Sequence, residues 1–550
     1  MYLMKHSRKS VVLFPILFVS LLLFILSCSK KEEEASSTSS SPCYTTTPSD
    51  KGSCTVNSTL TASTKIPLLV VRVQYNNACF NSDETTWASK MFGTSEGQMN
   101  HYLAETTYDK YQFTPATETS GCSNDGVITV NMPENHPNTQ KNSWACYAAK
   151  AITEADSSIN FAAYDTDSND NLSVSELQVM FLVAGGESAS GINSPGGVWG
   201  QATAIYCDAN GDGFVTVESG EYYMTLDNVN LLGSNSSTYG QNGYSQFGER
   251  QGSSSSNTWD ASIGVMAHEL GHAYFLLPDL YETSLTPIGS GIGSFGLMGG
   301  GAWGYKSSSE YPGATPVHFS AWSKEKISVC VPQTVDNGTS NITLPAVYQS
   351  STHANSCGIY KATTSTSDNI SEYFLFENRS SGGYDQGLNM LLLDNSSIYA
   401  VGSSYSGGAA IWHVKDILST CYADNSCMNE SPPLVDLEEA NNADLDNGSS
   451  QGRTTHLFYS ANSATFDNSS TPDSKLYDNS SSGISVTSIS AAGDNMTLTI
   501  SKSEKYETHQ LDYCSAQRFC HEFNGGAGCA LFNHLRPTGR FDLSSSSQGG

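Results

Sequence analysis

A chain of 550 residues has room for two or three domains and a large buried core. Its 54 acidic and 26 basic residues leave a net charge of −28, which argues against a nucleic-acid partner, because phosphate binding draws on Lys and Arg. The same carboxylate surplus suits an exported protein that holds calcium through hard oxygen ligands.

The chain opens on a basic patch (Lys5, Arg8, Lys9) and an apolar run from Val11 to Leu26, ending Ile25-Leu26-Ser27-Cys28. This is the pattern of a secretory signal with a lipobox-like end, and it resembles a bacterial lipoprotein precursor. The expectation is a signal peptide over 1–27 and a lipidated Cys28 that anchors the exported chain to the membrane of a bacterial cell envelope. Ser29 is compatible with outer-membrane or surface sorting. An uncleaved anchor is the competing reading; no second apolar run is long enough to span a bilayer. Lys30 to Glu34 and the Ser/Thr-rich stretch after them read as a flexible linker or pro-segment over 28–64. An oxidising compartment favours pairing of the 14 cysteines. Cys421 with Cys427 is a plausible local bridge, and Cys330 with Cys357 one that ties two strands. Setting Cys28 aside leaves an odd number.

Folded sequence is expected from Lys65. Ile66–Val73 reads as a buried strand, Thr86–Phe92 and Gly97–Thr106 as helices, Gly126–Met132 as a strand, Trp144–Ser157 as a helix, and Glu176–Ala184 as containing a strand at Val179–Val183. A further apolar helix starts near Asp260 or Ser262, with Ile263, Met266, Ala267, Leu270 and Tyr274 on one face. Pro316–Lys324 reads as a short helix. From Gly338 to Ser501 short alternating strands follow, at Glu372–Glu377, Ala409–Val414, Ile484–Ile489 and Met496–Ile500. The fold class is α+β: a catalytic domain over 65–335 with a mixed sheet and an active-site helix, then a β-rich, sandwich-like domain over 336–503. The tail, 504–550, carries Cys514, Cys520, Cys529, His509, His521 and His534. It reads as disulfide-stapled, with a second metal site as the alternative.

The apolar helix contains His268-Glu269-Leu270-Gly271-His272. Two histidines four apart share a helix face, which suits zinc, and the intervening Glu can act as base on a zinc-activated water. With only 12 histidines in the chain, chance is a poor account of the pentad. The third ligand must be found elsewhere. No Glu lies between Glu282 and Glu310, which disfavours a glutamate on a later helix. Asp279 follows the second His by seven residues and is the main candidate, with Glu282 or a more distant carboxylate as alternatives. Met298, in Gly296-Leu297-Met298-Gly299, is a candidate for a methionine turn beneath the metal. Tyr281 and Tyr305 are candidate oxyanion donors. Cys43 or Cys54 could also cap the zinc as an inhibitory thiolate.

Asp165, Asp167, Asn169, Ser173 and Glu176 fall at positions 1, 3, 5, 9 and 12 of a calcium-type loop, with Asn171 at position 7 and Asp170 where glycine is usual. Asp208, Asn210 and Asp212 start a second loop that keeps the glycine and lacks Glu at position 12. Asx-rich turns are the competing reading.

These segments are similar to the immune inhibitor A family of bacterial secreted zinc metallopeptidases, which are metzincin-like, over roughly residues 65–502. The similarity runs through Leu68–Tyr75, Met99–Phe113, Tyr164–Asp167, the HELGH pentad, Pro278–Tyr281, Leu297–Trp303, Pro316–Lys324, Glu372–Arg379 and Ile411–Val414. It implies an endopeptidase acting on protein or peptide substrates with one catalytic zinc and structural calcium. It carries over His268, His272 and Asp279 as zinc ligands, Glu269 as general base and Met298 as the methionine turn. This chain departs from the family where a glycine usually stands three residues after the second His. Phe275 occupies that place, and one residue is added before Asp279. The competing function is a lipid-anchored adhesion or binding protein on an inactive peptidase scaffold; the intact His268, Glu269 and His272 argue against it.

Overall fold

The computed structural model describes residues 43–44, 54, 61–205, 224–231, 243–284, 289–352, 355–364, 371–393, 405–416, 421–441 and 444–503. The signal segment, Cys28, the second calcium-type loop with Asp208, Asn210 and Asp212, and the Cys-rich tail lie outside these residues.

The run of apolar residues in β1 (Thr64–Tyr75) marks a strand buried on both faces, and it forms the centre of a mixed, mainly parallel sheet. β2 (Tyr111–Pro115) and β3 (Val127–Met132) pair with successive stretches of one edge of β1, and β4 (Gln178–Glu187) pairs with the other, all in parallel. β5 (Gly197–Val198) and β9 (Tyr244–Ser254) run parallel to β4. β6 (Gln201–Thr203) and β10 (Asn257–Asp260) are antiparallel to β9. β7 (Thr225–Leu226) and β8 (Val229–Asn230) form a small separate ribbon.

Alternate residues of β1 and β4 feed two cores. Ile66, Leu68, Val70, Met180 and Leu182 face α1 (Glu84–Phe92), α2 (Met99–Thr106) and α4 (Ile263–Ala273). Leu69, Val71, Val73, Phe181 and Val183 face α3 (Ala145–Ala155).

The later part of the chain is β-rich. β11 (Gln333–Thr334), β13 (Tyr360–Thr363), β14 (Ser371–Asn378), β15 (Ala409–Asp416) and β16 (Val435–Leu437) form a five-stranded sheet; β12 (Gly338–Pro345), β18 (Asn495–Lys502) and β17 (Ile484–Thr487) form a three-stranded one. Phe374, Phe376 and Ile411 pack with Ile342, Leu344, Leu498 and Ile500 between the two sheets. On the opposite face of β14 and β15, Leu375, Trp412 and Val414 join the core that holds α4, through Phe319, Trp322 and Ile327.

A buried polar clamp reinforces that junction. Arg379 donates from Nε and Nη2 to the two Asp385 oxygens (2.7 and 2.6 Å). Glu377 Oε1 accepts from Arg379 Nη1 (3.2 Å), Trp412 Nε1 (3.0 Å) and the Ala321 amide (3.2 Å). Buried charges of this kind are tolerated only when paired and hydrogen-bonded.

Three differences from the sequence expectations have physical causes. The helix expected at 316–324 is α5, Ala321–Lys326, because Pro316–Phe319 stays irregular until Ser320 caps the helix through the Ser323 amide (3.2 Å). β9 escaped notice because its sequence, YSQFGERQGSS, is polar, yet it is buried along most of its length, with Gln246, Glu249 and Gln251 inside. Cys43 and Cys54 are paired with Cys79 and Cys122, so neither offers a thiolate to a metal.

Cys330–Cys357 and Cys421–Cys427 are disulfides as the spacing anticipated, and Cys146 is disulfide-bonded as well. Disulfides in this number fit an exported protein. Among the described residues no helix is long and apolar enough to cross a membrane.

Candidate metal centre

Ser262 stands at the N-cap of α4, its amide donating to Gln251 Oε1 of β9 (3.0 Å), which ties the start of the helix to the sheet. Gly264 and Gly271, seven apart, lie on the face that sits on the Gly296–Trp303 turn. A Cβ at Gly264 would run into Ala302 O, and one at Gly271 would lie 2.5 Å from Met298 Sδ. The turn that carries Met298 thus lies directly under the HELGH helix. Leu297 O, in the same turn, accepts from His268 Nδ1 (2.9 Å), and Met298 O accepts the Leu280 amide (2.8 Å).

The chain leaves α4 by a wide turn that takes in the residue expected to be added before Asp279. Phe275 is not the left-handed residue; Leu276 is, with φ +56°, a conformation that costs a leucine about 1–2 kcal/mol. Its amide bonds His272 O (3.1 Å), and the Leu277 amide bonds Gly271 O (3.1 Å). The added residue is absorbed there, and Leu277 O arrives 2.6 Å from His272 Nδ1. Asp279 then reaches back to the helix. Its Oδ1 lies 3.0 Å from His268 Nε2 and 3.2 Å from His272 Nε2, and the two Nε2 atoms are 3.1 Å apart. Glu282 turns elsewhere, accepting the Gly289 amide at 2.9 Å.

The chemistry of this donor set is restrictive. A backbone carbonyl can only accept, so each Nδ1 carries a hydrogen, and in the neutral tautomer each Nε2 presents a lone pair. Two lone pairs and a carboxylate oxygen therefore converge on one point, where protons or a cation must sit. Tetrahedral zinc with bonds of about 2.0–2.1 Å separates its ligand atoms by about 3.3 Å, close to the spacing observed. Imidazoles oriented through Nδ1 by carbonyls are also the usual support of a metal site. The residues present fit zinc.

All the groups are buried, His268 at 8%, His272 at 6%, Asp279 at 7% and Glu269 at 7% relative exposure. Burial disfavours a charged His272, but the Asp279 carboxylate outweighs it and raises the imidazole above its ordinary pKa. Burial would lift Asp279; His272 and His268 hold it far below the carboxylate range instead. Burial, with Asp279 and Glu187 also raising it, pushes Glu269 up to about 8 against the pull of His268 and of a hydrogen bond from the Ala202 backbone in β6. A dication beside Glu269 would draw it back down. Tyr281 stacks on His268 (ring centroids 6.3 Å apart) and bonds Asp279. Tyr305 is held through its amide to Gly387 O (3.2 Å), with no contact to the cluster among the described residues.

Sequence reasoning missed one group at this centre. Asn425, from the loop closed by Cys421–Cys427, accepts the Asp279 amide at Oδ1 (2.8 Å) and donates from Nδ2 to Asp279 Oδ2 (2.5 Å). It lies 146 residues away in sequence, with only the Cys spacing to hint at a tight loop there.

The calcium-type loop brings carboxylates of Asp165, Asp167 and Glu176 together, with one oxygen of each within 4.8 Å of the others. Asp170, at the position where glycine is usual, does take a left-handed φ of +59°. Many of the loop's oxygens already accept loop amides. Asp165 binds those of Asn169 and Asp170, Asn169 Oδ1 that of Asn171, and Glu176 those of Thr166 and Ser173. Burial works against ionised Glu176, but these bonds together bring its carboxyl down to about 2.

Residues 134–329 match the family described as immune inhibitor A peptidase M6, catalytic domain. Over that segment the chain is similar to a peptidase catalytic domain, which supports a peptidase function in general. The matched segment takes in α3, β4, β9, the HELGH helix, Asp279 and the Met298 turn. A peptidase of this family acts on proteins or peptides. A search of curated proteins returns no match.

Proposed function

We propose that the chain is a zinc-dependent endopeptidase in which His268, His272 and Asp279 hold the metal and Glu269 is the general base. The observation that carries this reading is the convergence of two imidazole Nε2 atoms and one carboxylate oxygen, 3.0–3.2 Å apart, on the helix that also carries Glu269. Zinc bound there would supply Lewis acidity, acidifying water and polarising the scissile carbonyl.

The chain's own groups do the rest. Glu269 takes a proton from the attacking water on its carboxylate and hands it to the leaving amine nitrogen. The Ala202 amide of β6 holds that carboxylate in place. Tyr281, stacked on His268, donates its phenol hydrogen to Asp279 and so helps to orient that ligand. Replacing Glu269 by Gln keeps the shape and removes the base; zinc content should be unchanged and kcat should fall by ~10²–10⁴-fold on a general protein substrate. Full activity in that variant would refute the base assignment.

Asp165, Asp167, Asn169, Asn171 and Glu176, with Asp208, Asn210 and Asp212 of the second loop, are read as calcium ligands that stabilise the fold. The clustered carboxylates and left-handed Asp170 support this for the first loop. Calcium should raise Tm of the wild type more than that of Glu176→Gln; equal shifts would contradict it. Cys28 is read as the lipid attachment point that holds the peptidase at a bacterial envelope membrane, with catalytic and β-rich domains over 65–335 and 336–503.

A further inference from the structure

We infer that Asn425 is a positioning residue for the third metal ligand, so that the metal centre is completed by the disulfide-closed loop Cys421–Cys427 of the β-rich region. This inference rests on the zinc reading above.

Asp279 sits on irregular chain beyond the left-handed Leu276 and Pro278, and no helix or strand fixes its carboxylate. A carboxylate offers two oxygens and rotates about its last bond. Asn425 removes both freedoms. Its Oδ1 takes the Asp279 amide at 2.8 Å and its Nδ2 engages Oδ2 at 2.5 Å, leaving Oδ1 to face the two imidazoles. One side chain therefore fixes the backbone and the carboxylate of the same residue.

The clamp is itself built rigidly. Asn425 adopts φ +59°, a left-handed turn conformation that asparagine accepts more readily than most residues. Cys421 and Cys427 are buried and bonded across a separation of six residues. The loop grips the ligand segment a second time. Asn425 O accepts the Thr283 hydroxyl (3.0 Å), and Asn429 Oδ1 accepts the amides of Thr283 (2.8 Å) and Ser284 (3.1 Å). Tyr422 of the same loop stacks on Trp322 of α5, with ring centroids 6.5 Å apart. A ligand whose geometry is set by an outer partner loses affinity when that partner goes, by about 10–100-fold.

The test uses the intact chain and two variants. Asn425→Gly keeps the left-handed backbone and deletes the clamp; Asn425→Asp keeps the acceptor for the Asp279 amide and sets an oxygen against Oδ2. Zinc affinity is read by competition with a chromophoric chelator, alongside Tm, kcat and KM. The expected result for Asn425→Gly is a zinc dissociation constant raised ~10–100-fold, with kcat at limiting zinc reduced to match, KM little changed and the apo-protein Tm close to wild type. Asn425→Asp should be no better than Asn425→Gly. Zinc affinity within twofold of wild type in both variants overturns the inference and leaves the zinc site standing. A wild-type chain that takes up no zinc overturns both.

Discussion

Two buried imidazole–carboxylate clusters in this molecule look alike in composition and differ in kind. In the β-rich region His413 lies between Glu372 and Glu438, with Nε2 2.9 Å from one carboxylate and Nδ1 3.0 Å from the other, and its ring stacks on Tyr477. Both neighbours are acceptors, so both ring nitrogens donate, and a proton completes the set. In the catalytic region the acceptors behind His268 and His272 are backbone carbonyls on Nδ1, which leaves the two Nε2 atoms and Asp279 aimed at one another. The first arrangement is an ion pair that stiffens a sheet. The second, on the zinc reading, is a metal centre. What separates them is which atom each nitrogen faces, not how many histidines and carboxylates are present.

The largest effect should come from the catalytic cluster. On the zinc reading Asp279→Ala removes a direct ligand, so activity should fall by more than the ~10–100-fold typical of outer partners, and zinc should dissociate on dialysis. Zinc retained at wild-type affinity would mean that another carboxylate is the ligand. The analogous change at His413, to Gln, should leave zinc content unaltered.

The second cluster should respond to pH instead. Burial disfavours charged His413, but hydrogen bonds to Glu372 and Glu438 outweigh it and bring its pKa up to about 9, from an ordinary 6.5. A folded-state value above the unfolded one means that the stabilisation is fully present below pH 6.5 and is lost as pH rises through 9. The shift corresponds to at most about 3 kcal/mol. Denaturant unfolding of wild type and His413→Gln across pH 6–10 would show it, as a steeper loss of stability with rising pH in the wild type than in the variant. Parallel profiles would mean that His413 is neutral in the fold.

A smaller effect isolates the platform under α4. Gly271→Ala sets a methyl 2.5 Å from Met298 Sδ, and overpacking of this kind costs about 1–3 kcal/mol. The flexible Met298 can yield, so Tm should fall modestly, and Gly271→Ala combined with Met298→Ala should cost less than the sum of the two single changes. Strict additivity would show that the two do not touch.

The sequence was informative where a structural element states its own chemistry. β1, β4 and α4 carry unbroken apolar runs or a helical stripe and were legible as elements, and the HELGH pentad places His268, Glu269 and His272 on one turn of α4. Asp279 and Met298 were legible as candidates because they lie within a few tens of residues of the helix. The route to Asp279 was not, since a left-handed leucine at 276 has no sequence signature. β9 was missed because a buried strand made of Gln, Glu and Ser reads as surface. Asn425 was invisible for a stronger reason: its role exists only once the β-rich region packs against the catalytic one, through Trp412, Trp322 and the Arg379–Asp385 pair. Local pattern reports local structure, and this site is finished by a long-range contact.

The most direct test counts zinc in the purified intact chain and follows cleavage of a general protein substrate through chelation and zinc restoration. A zinc endopeptidase should hold one zinc per chain, lose cleavage to the chelator and regain it with zinc. Cleavage that proceeds undiminished in metal-free protein would contradict the zinc assignment.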